Sequence, residues 1–476
     1  MKVNEHAKSF NPTAKIEGHA SVSSALSEFV ANFEAGSIPQ SVRDRAKYLV
    51  LDAIGIALAS TSYDFTHRTL SGLTAVAGEG QSSLIGLAQK MPLRDAVLMN
   101  GLLIHGLDYD DTHVNAIIHP TSSALACALG VAEHLKVGGD KLLAAYILGV
   151  EIVTRLGLAA KGEFHYFGFH PTGIAAHFSC ALQTGWLYGL NARQLTMAQG
   201  IVGSTASGSQ EFLEEGSWNK RLHPGWAGVA GITAAALGRN GFIGPLKVYE
   251  GRFGLYKSHL HEVEAKTDYG QIVSDLGDKW EVTETSIKPF PICHLIHACA
   301  DAALEIRQAE KLDYRNIERV RALLPAETLQ IVAEPIQNKI KPANSYDAKF
   351  SAQYVIATCF VHGKFGLAEL ESDALGDAEV LPLAQKVTCE PLLDSLFPKY
   401  FPGSVIVTTK DGREFRRDIP INRGSGDRAL SGADIAAKFM ENAEMVVSSA
   451  HAKRILEAVL NMDQMSAVQL AAVLRT

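Results

Sequence analysis

The chain has 476 residues, 47% of them apolar and 20% charged, and 44 Lys and Arg against 51 Asp and Glu give a formal charge of 44 − 51 = −7. This composition excludes a disordered chain and is enough for a large core divided among two or three units. The acidic balance, with no basic run, argues against nucleic acid and anionic membrane as partners.

The polar residues 1–20 read as a loose arm and lack the apolar core of a signal peptide. No run of about 18 uninterrupted apolar residues marks a membrane span. Cys127, Cys180, Cys293, Cys299, Cys359 and Cys389 lie in apolar surroundings without CxxC spacing, which points to reduced thiols in a cytoplasmic compartment.

In chain order, 22–33 reads as a first helix. A second runs from Pro39 to Ser60, where Val42, Ala46, Leu49, Val50, Ala53, Ile56, Ala57 and Ser60 recur at three and four. Leu93 to His105 is a third, and it delivers the chain into the polar stretch 105–119. Pro120 opens the next, to about Lys136, with Thr121 and Ser122 placed to cap its free amides. Further helices are predicted at 140–156, 171–190, 193–206 and 225–240, the last crowded with small residues.

The pattern changes near Trp280. Strands are predicted at 317–324, 386–389, 404–409 and 414–419, the last two joined at Lys410-Asp411-Gly412 as a hairpin. Helices at 294–309 and 347–362 lie between them, and helices at 432–447, 451–461 and 465–474 end the chain. The expected architecture is mainly α: an all-helical domain of 1–274 with 416–476, and an inserted α+β lid domain of 275–415.

Four polar islands interrupt these elements. His105-Gly-Leu-Asp-Tyr-Asp-Asp-Thr-His-Val-Asn-Ala-Ile-Ile-His119 packs three histidines, three carboxylates and a threonine into fifteen residues. Any one of them would pass as a cap or turn. Together they point to a site, because buried charges need partners. A magnesium-binding DDxxD stretch of the terpene-cyclase kind fails at Asp110-Asp111-Thr112-His113-Val114, which lacks the third carboxylate. No HExxH pair supports a hydrolytic metal centre.

His170 in Gly168-Phe-His-Pro-Thr forms the second island, before a helix start. Lys220, Arg221 and His223 form the third. Two cations at a helix N-terminus oppose its dipole unless an anion lies between them. The fourth is Lys288-Pro-Phe-Pro with His294 and His297; Cys293, His294, His297 and Cys299 do not share one helical face as a metal set would. Ser345-Tyr346-Asp-Ala-Lys349-Phe-Ser-Ala-Gln-Tyr354 alone reads as an ordinary helix. Lysines, histidines and a phenol suit carboxylate binding and proton transfer beside a carboxylate.

These islands resemble the MmgE/PrpD family, which includes 2-methylcitrate dehydratases, cis-aconitate decarboxylases and iminodisuccinate epimerases. The matching pieces are 51–60, Asn100-Gly101, His105-Gly-Leu-Asp-Tyr-Asp-Asp-Thr112, His119-Pro120, Gly168-Phe-His-Pro-Thr172, Lys220-Arg-Leu-His-Pro-Gly225, Glu250-Gly-Arg-Phe-Gly254, Lys288-Pro-Phe-Pro291 and Asp347-Ala-Lys-Phe-Ser-Ala-Gln-Tyr354. They span about residues 22–460.

The resemblance implies a homodimer with a cleft between the domains and chemistry without metal or cofactor. It carries pocket positions to Asp108, Thr112, His119, His170, Lys220, Lys288 and Tyr354. His294 falls near a position that varies in the family. The implied division of labour has proton transfer by two of Lys288, His119 and Tyr354. Asp108 would orient a histidine or lysine, and Thr112, His170, Lys220, Arg221, His223 and His294 would bind substrate. The expected reaction is 2-methylcitrate-type dehydration of a small di- or tricarboxylate, a carbon–oxygen lyase reaction. The alternatives are cis-aconitate decarboxylation, iminodisuccinate-type epimerisation, a metal-dependent terpene-type lyase and a non-catalytic carboxylate-binding protein.

Overall fold

The computed structural model describes residues 21–397 and 399–476, so the arm expected at 1–20 lies outside the described residues. The first half is built of helices, with one two-residue ladder between Ser82–Ser83 and Lys90–Met91. The longest helices, Gln40–Ser60, Gly139–Ala159 and Asn219–Arg239, pack with Leu93–His105, Pro120–Leu135 and Pro171–Leu187. Gly139–Ala159 is long and apolar enough to cross a membrane, but 94% of its apolar window is buried inside the structure, so it is a core helix.

Two departures from the sequence reading have simple causes. Helix Asp64–Val76 fully buries only Phe65 and Thr66, and its apolar stripe is short, with Leu70 and Leu73 only partly buried against the core. The small-residue helix starts at Asn219 rather than 225 and keeps Pro224 inside. Pro224 stands in the second turn, where it withholds the intrahelical bond to the Lys220 carbonyl. The crossing of this helix with Leu93–His105 depends on glycine: a Cβ on Gly101 would lie 2.6 Å from Gly225 Cα, and one on Gly225 would run into the Leu98 carbonyl.

The second half holds a four-stranded sheet in the order Val387–Pro391, Ile317–Leu324, Gly403–Thr409, Glu414–Ile419. The first pair is parallel and the other two are antiparallel. His297–Glu310 packs on the sheet and on Ala352–His362. The tail helices Gly432–Ala443, Ser449–Leu460 and Ala467–Val473 return to the first half, where Phe439 closes on Gly55. Buried apolar residues form two clusters, and Ile56, Ala59, Phe65, Leu102, Leu107 and Tyr109 of the first half belong to the second of them.

The single helix expected over 347–362 is broken. Ser345–Lys349 and Ala352–His362 are separate helices, and Ser351 Oγ caps the second by accepting from Tyr354 N. The break turns Lys349 and Tyr354 in different directions.

Candidate active site

The stretch after His105 is a loop held in place from both halves of the chain. Thr112 pairs with Ser286 through two backbone hydrogen bonds of 2.8 and 2.9 Å, which brings Lys288 alongside. His113 accepts from Ala116 N on Nδ1, so its Nε2–H donates to Glu281 at 3.1 Å. The hydroxyls of Thr121 and Ser122 do not cap their helix as expected. Thr121 donates to Asp111 and Ser122 to the His119 carbonyl, while the Thr121 amide uses Asp111 Oδ1.

Asp108 is the centre. Its φ is +52°, and its carboxylate Oδ1 lies 2.8 Å from Lys220 Nζ, 3.3 Å from Lys288 Nζ and 3.7 Å from His119 Nε2. Burial alone would raise the Asp108 pKa, but the Lys220 and Lys288 ammonium groups hold it well below the usual carboxylate range. The anion demanded by two cations at the Asn219 helix start is therefore supplied by the chain itself.

His119 Nδ1 is 2.9 Å from the Asp111 carbonyl oxygen, an acceptor only, so that nitrogen carries the proton and Nε2 keeps its lone pair. Burial lowers the His119 pKa to about 3, against the opposing pull of Asp110. His105 donates from Nδ1 to Asp110 at 2.8 Å, and its ring meets that of His119 edge-on at 4.7 Å. Asp110 is held at a pKa of about 2 because its contact and hydrogen bond with His105 outweigh its burial. His170 and His223 share one proton between their Nδ1 atoms, 3.0 Å apart. Burial lowers both, His223 to about 4.

Arg221 donates to Gly106 O at 2.6 Å and lies 4.6 Å over the Phe65 ring; its Nη1 is buried without a protein partner. His294 accepts from Asn422 at 2.8 Å and leaves Nδ1 unpaired; burial, His297 and Lys288 hold its pKa low. Thr112 Oγ1 reaches His119 Nδ1 at 3.5 Å.

Tyr354 is not brought into this group. Its hydroxyl donates to the carbonyls of Glu369 (2.8 Å) and Ala374 (3.1 Å) in the second apolar cluster, where the helix break has turned it. The phenol that feels Asp108 and Arg221 is Tyr346, whose hydroxyl is buried without a partner. Lys349 also reaches the site, donating to the Leu107 carbonyl. Both stood in the same motif as Tyr354, but no spacing distinguished them without knowledge of the break at Phe350-Ser351.

His105, Asp110 and His119 present possible metal-ligand atoms within 4.8 Å of one another. His105 Nδ1 is committed to Asp110 and His119 Nδ1 to Asp111 O, while His105 Nε2 is buried without a partner. Asp111 is likewise committed to Thr121, so the aspartate pair does not have the outward-facing carboxylates of a magnesium motif.

Comparison with known proteins identifies the family. The MmgE/PrpD N-terminal domain model matches residues 24–268 and the C-terminal domain model residues 290–464. The chain belongs to the MmgE/PrpD family. It is 25% identical to the cis-aconitate decarboxylase-like protein oryM of Aspergillus oryzae, over 93% of this chain and 94% of the relative. Identity is also 25% to cis-aconitate decarboxylases of Aspergillus terreus (95% and 96% covered) and Homo sapiens (94% and 92%). In this MmgE/PrpD member, two lysines and a neutral histidine surround one aspartate carboxylate. Such a set can bind carboxylates, deliver a proton and accept one.

Proposed function

We propose that this protein is a lyase acting on a small tricarboxylate, with decarboxylation of the cis-aconitate type as the leading reading ahead of the dehydration expected from sequence. The observation that carries it is the convergence of Lys220 and Lys288 on one oxygen of Asp108 beside a histidine whose Nε2 is unprotonated. The names of the relatives favour decarboxylation.

In cis-aconitate the methylene carboxylate lies β,γ to the double bond. Loss of CO2 leaves its electron pair to form a new C=C bond. The old double bond shifts, and its far carbon takes a proton, so a trianion plus a proton becomes a dianion plus CO2. His119, held neutral, cannot supply that proton near pH 7. The Lys288 ammonium can, and Lys220 with the Arg221 Nη1 pairs with the remaining carboxylates.

A second reading, dehydration, draws on the same neutral His119 as the base beside a carboxylate. Incubation in D2O with cis-aconitate, 2-methylcitrate, citrate and iminodisuccinate, followed by NMR, tests both. Decarboxylation releases CO2 and places one deuterium in the dicarboxylate product. Loss of water from 2-methylcitrate with no attack on cis-aconitate would replace the first reading by the second.

In this proposal the α+β part, 275–415, acts as a lid that brings Lys288 to the helical part. A homodimer and a reducing, cytoplasmic setting complete it; the six free cysteines suit such a setting. Trp226 and Leu237, exposed on one side of the Asn219–Arg239 helix, offer an apolar face for the second copy.

A further inference from the structure

Between Gly106 and Asp111, five backbone carbonyls each accept from a basic side chain. Arg221 Nε holds Gly106 O (2.6 Å), Lys349 Nζ holds Leu107 O, Lys288 Nζ holds Asp108 O (2.8 Å), Lys438 Nζ holds Tyr109 O (3.2 Å) and His119 Nδ1 holds Asp111 O (2.9 Å). These carbonyls follow the C-terminus of Leu93–His105, the end of a helix that favours cations. Lys288 and His119 also face the Asp108 carboxylate, Lys438 also pairs with the buried Asp52, and Arg221 also lies over the Phe65 ring. Among the described residues, the contact with Leu107 O is the one hydrogen bond made by Lys349 Nζ.

Its position is informative. The Leu107 carbonyl belongs to the peptide plane whose rotation about the N–Cα bond of Asp108 is the φ of Asp108. That φ is +52°, in the left-handed region that a residue with a Cβ adopts less readily than glycine, so neighbouring contacts help to hold it. Lys349 holds the carbonyl before the Asp108 Cα and Lys288 the one after. Lys349 itself is buried at 6% exposure, and its own carbonyl accepts from Cys293 N at 2.8 Å, so its backbone is anchored beside the His294 turn.

We propose that Lys349 is a positioning residue that sets the backbone of Asp108 through the Leu107 carbonyl, and so places the Asp108 carboxylate where Lys220, Lys288 and His119 meet. This rests on the site reading above. Burial lowers the Lys349 pKa to about 7; Asp108 opposes the shift, and Arg221, Lys288 and Lys220 add to it. A neutral amine still has N–H bonds to donate, so the contact with Leu107 survives its deprotonation.

Lys349→Met removes the donor at similar length, and Lys349→Arg keeps one. With cis-aconitate as substrate, the Met variant should lose about a hundredfold in kcat with a smaller change in KM, shift the pH profile of kcat/KM, and be largely rescued by Arg. Lys349→Leu, which also lacks a donor, carries the same comparison should the Met variant fail to fold, which circular dichroism reports. Unchanged kcat and pH profile in the Met or Leu variant, or an Arg variant no better than Met, would overturn the inference.

A second arm needs no turnover. In protein labelled with 13C at aspartate carboxyls, the Asp108 signal, assigned with Asp108→Asn, should stay ionised through about pH 4 in the parent. In Lys349→Met it should titrate nearer the ordinary carboxylate range. An identical titration in both proteins refutes the positioning role even if none of the tested acids is a substrate. A parent that consumes none of them while this arm succeeds would fault the substrate reading alone.

Discussion

Lys288 is bonded to Asp108 twice, at the backbone carbonyl (2.8 Å) and at the carboxylate (3.3 Å). One ammonium therefore reads both the conformation and the charge of the aspartate. Lys288→Met removes the proposed proton donor and should reduce kcat by about 10²–10⁴-fold, as expected for loss of a general acid. Steady-state kinetics with a melting curve checks this. Activity within a few-fold of the parent in a folded variant would exclude Lys288 from the chemistry.

Asp108→Asn leaves Lys220 and Lys288 facing each other without the shared anion. Removing one partner of a largely buried ion pair costs about 3–5 kcal/mol, so denaturant unfolding should register a drop of that order. Because the folded Asp108 pKa is depressed, its stabilisation is present above the unfolded value of about 3.9 and is lost as pH falls through the folded one. The Asn variant should be less stable at neutral pH, and the difference should shrink in acid.

His119 behaves oppositely in origin but alike in direction. Its folded pKa is about 3, whereas the unfolded chain takes up the proton near 6.5. Between those values the unfolded state binds more protons, so stability rises with pH through that window. Replacing His119 with Gln should flatten the stability profile between about pH 3 and 6.5. An unchanged slope would mean that His119 is not held neutral.

The Gly101–Gly225 contact sets how far the Asn219 helix stands from the loop. Gly225→Ala must push the backbones apart against Leu98. A cost of about 1–3 kcal/mol is expected for such overpacking. The lost activity should exceed what the melting curve explains, because Lys220 and Arg221 move with the helix.

The trio His105, Asp110 and His119 gives a direct metal test. His105 Nδ1 bonds to Asp110 and His119 Nδ1 to Asp111 O, so chelation by EDTA should leave turnover unchanged. Loss on EDTA with recovery on added zinc or magnesium would show that the trio opens around an ion.

Residue chemistry made much of this site legible in the sequence. Asp108, His119, His170, Lys220 and Lys288 stand in polar islands between apolar helices, where only mutual pairing makes burial tolerable. The misplaced cations at the Asn219 helix start signalled an anion, which proved to be Asp108. Tyr354 misled because it looks no different from Tyr346 on a continuous helix. The break between them comes from Ser351, whose hydroxyl caps the second helix and donates to the Lys339 carbonyl, a contact set by packing.

By itself the sequence determined the helical character of the first half, the four strands, the family and the residue types of the site, because these follow from local periodicity and from which side chains sit next to one another. Tertiary structure alone decided which atoms meet. The left-handed turn at Asp108 and the reach of Lys349 to Leu107 depend on partners distant in sequence, and the proton on His119 Nδ1 on how the 105–119 loop folds back on Asp111. Those partners bring charge and hydrogen bonds to one buried loop, where desolvation makes each contact count.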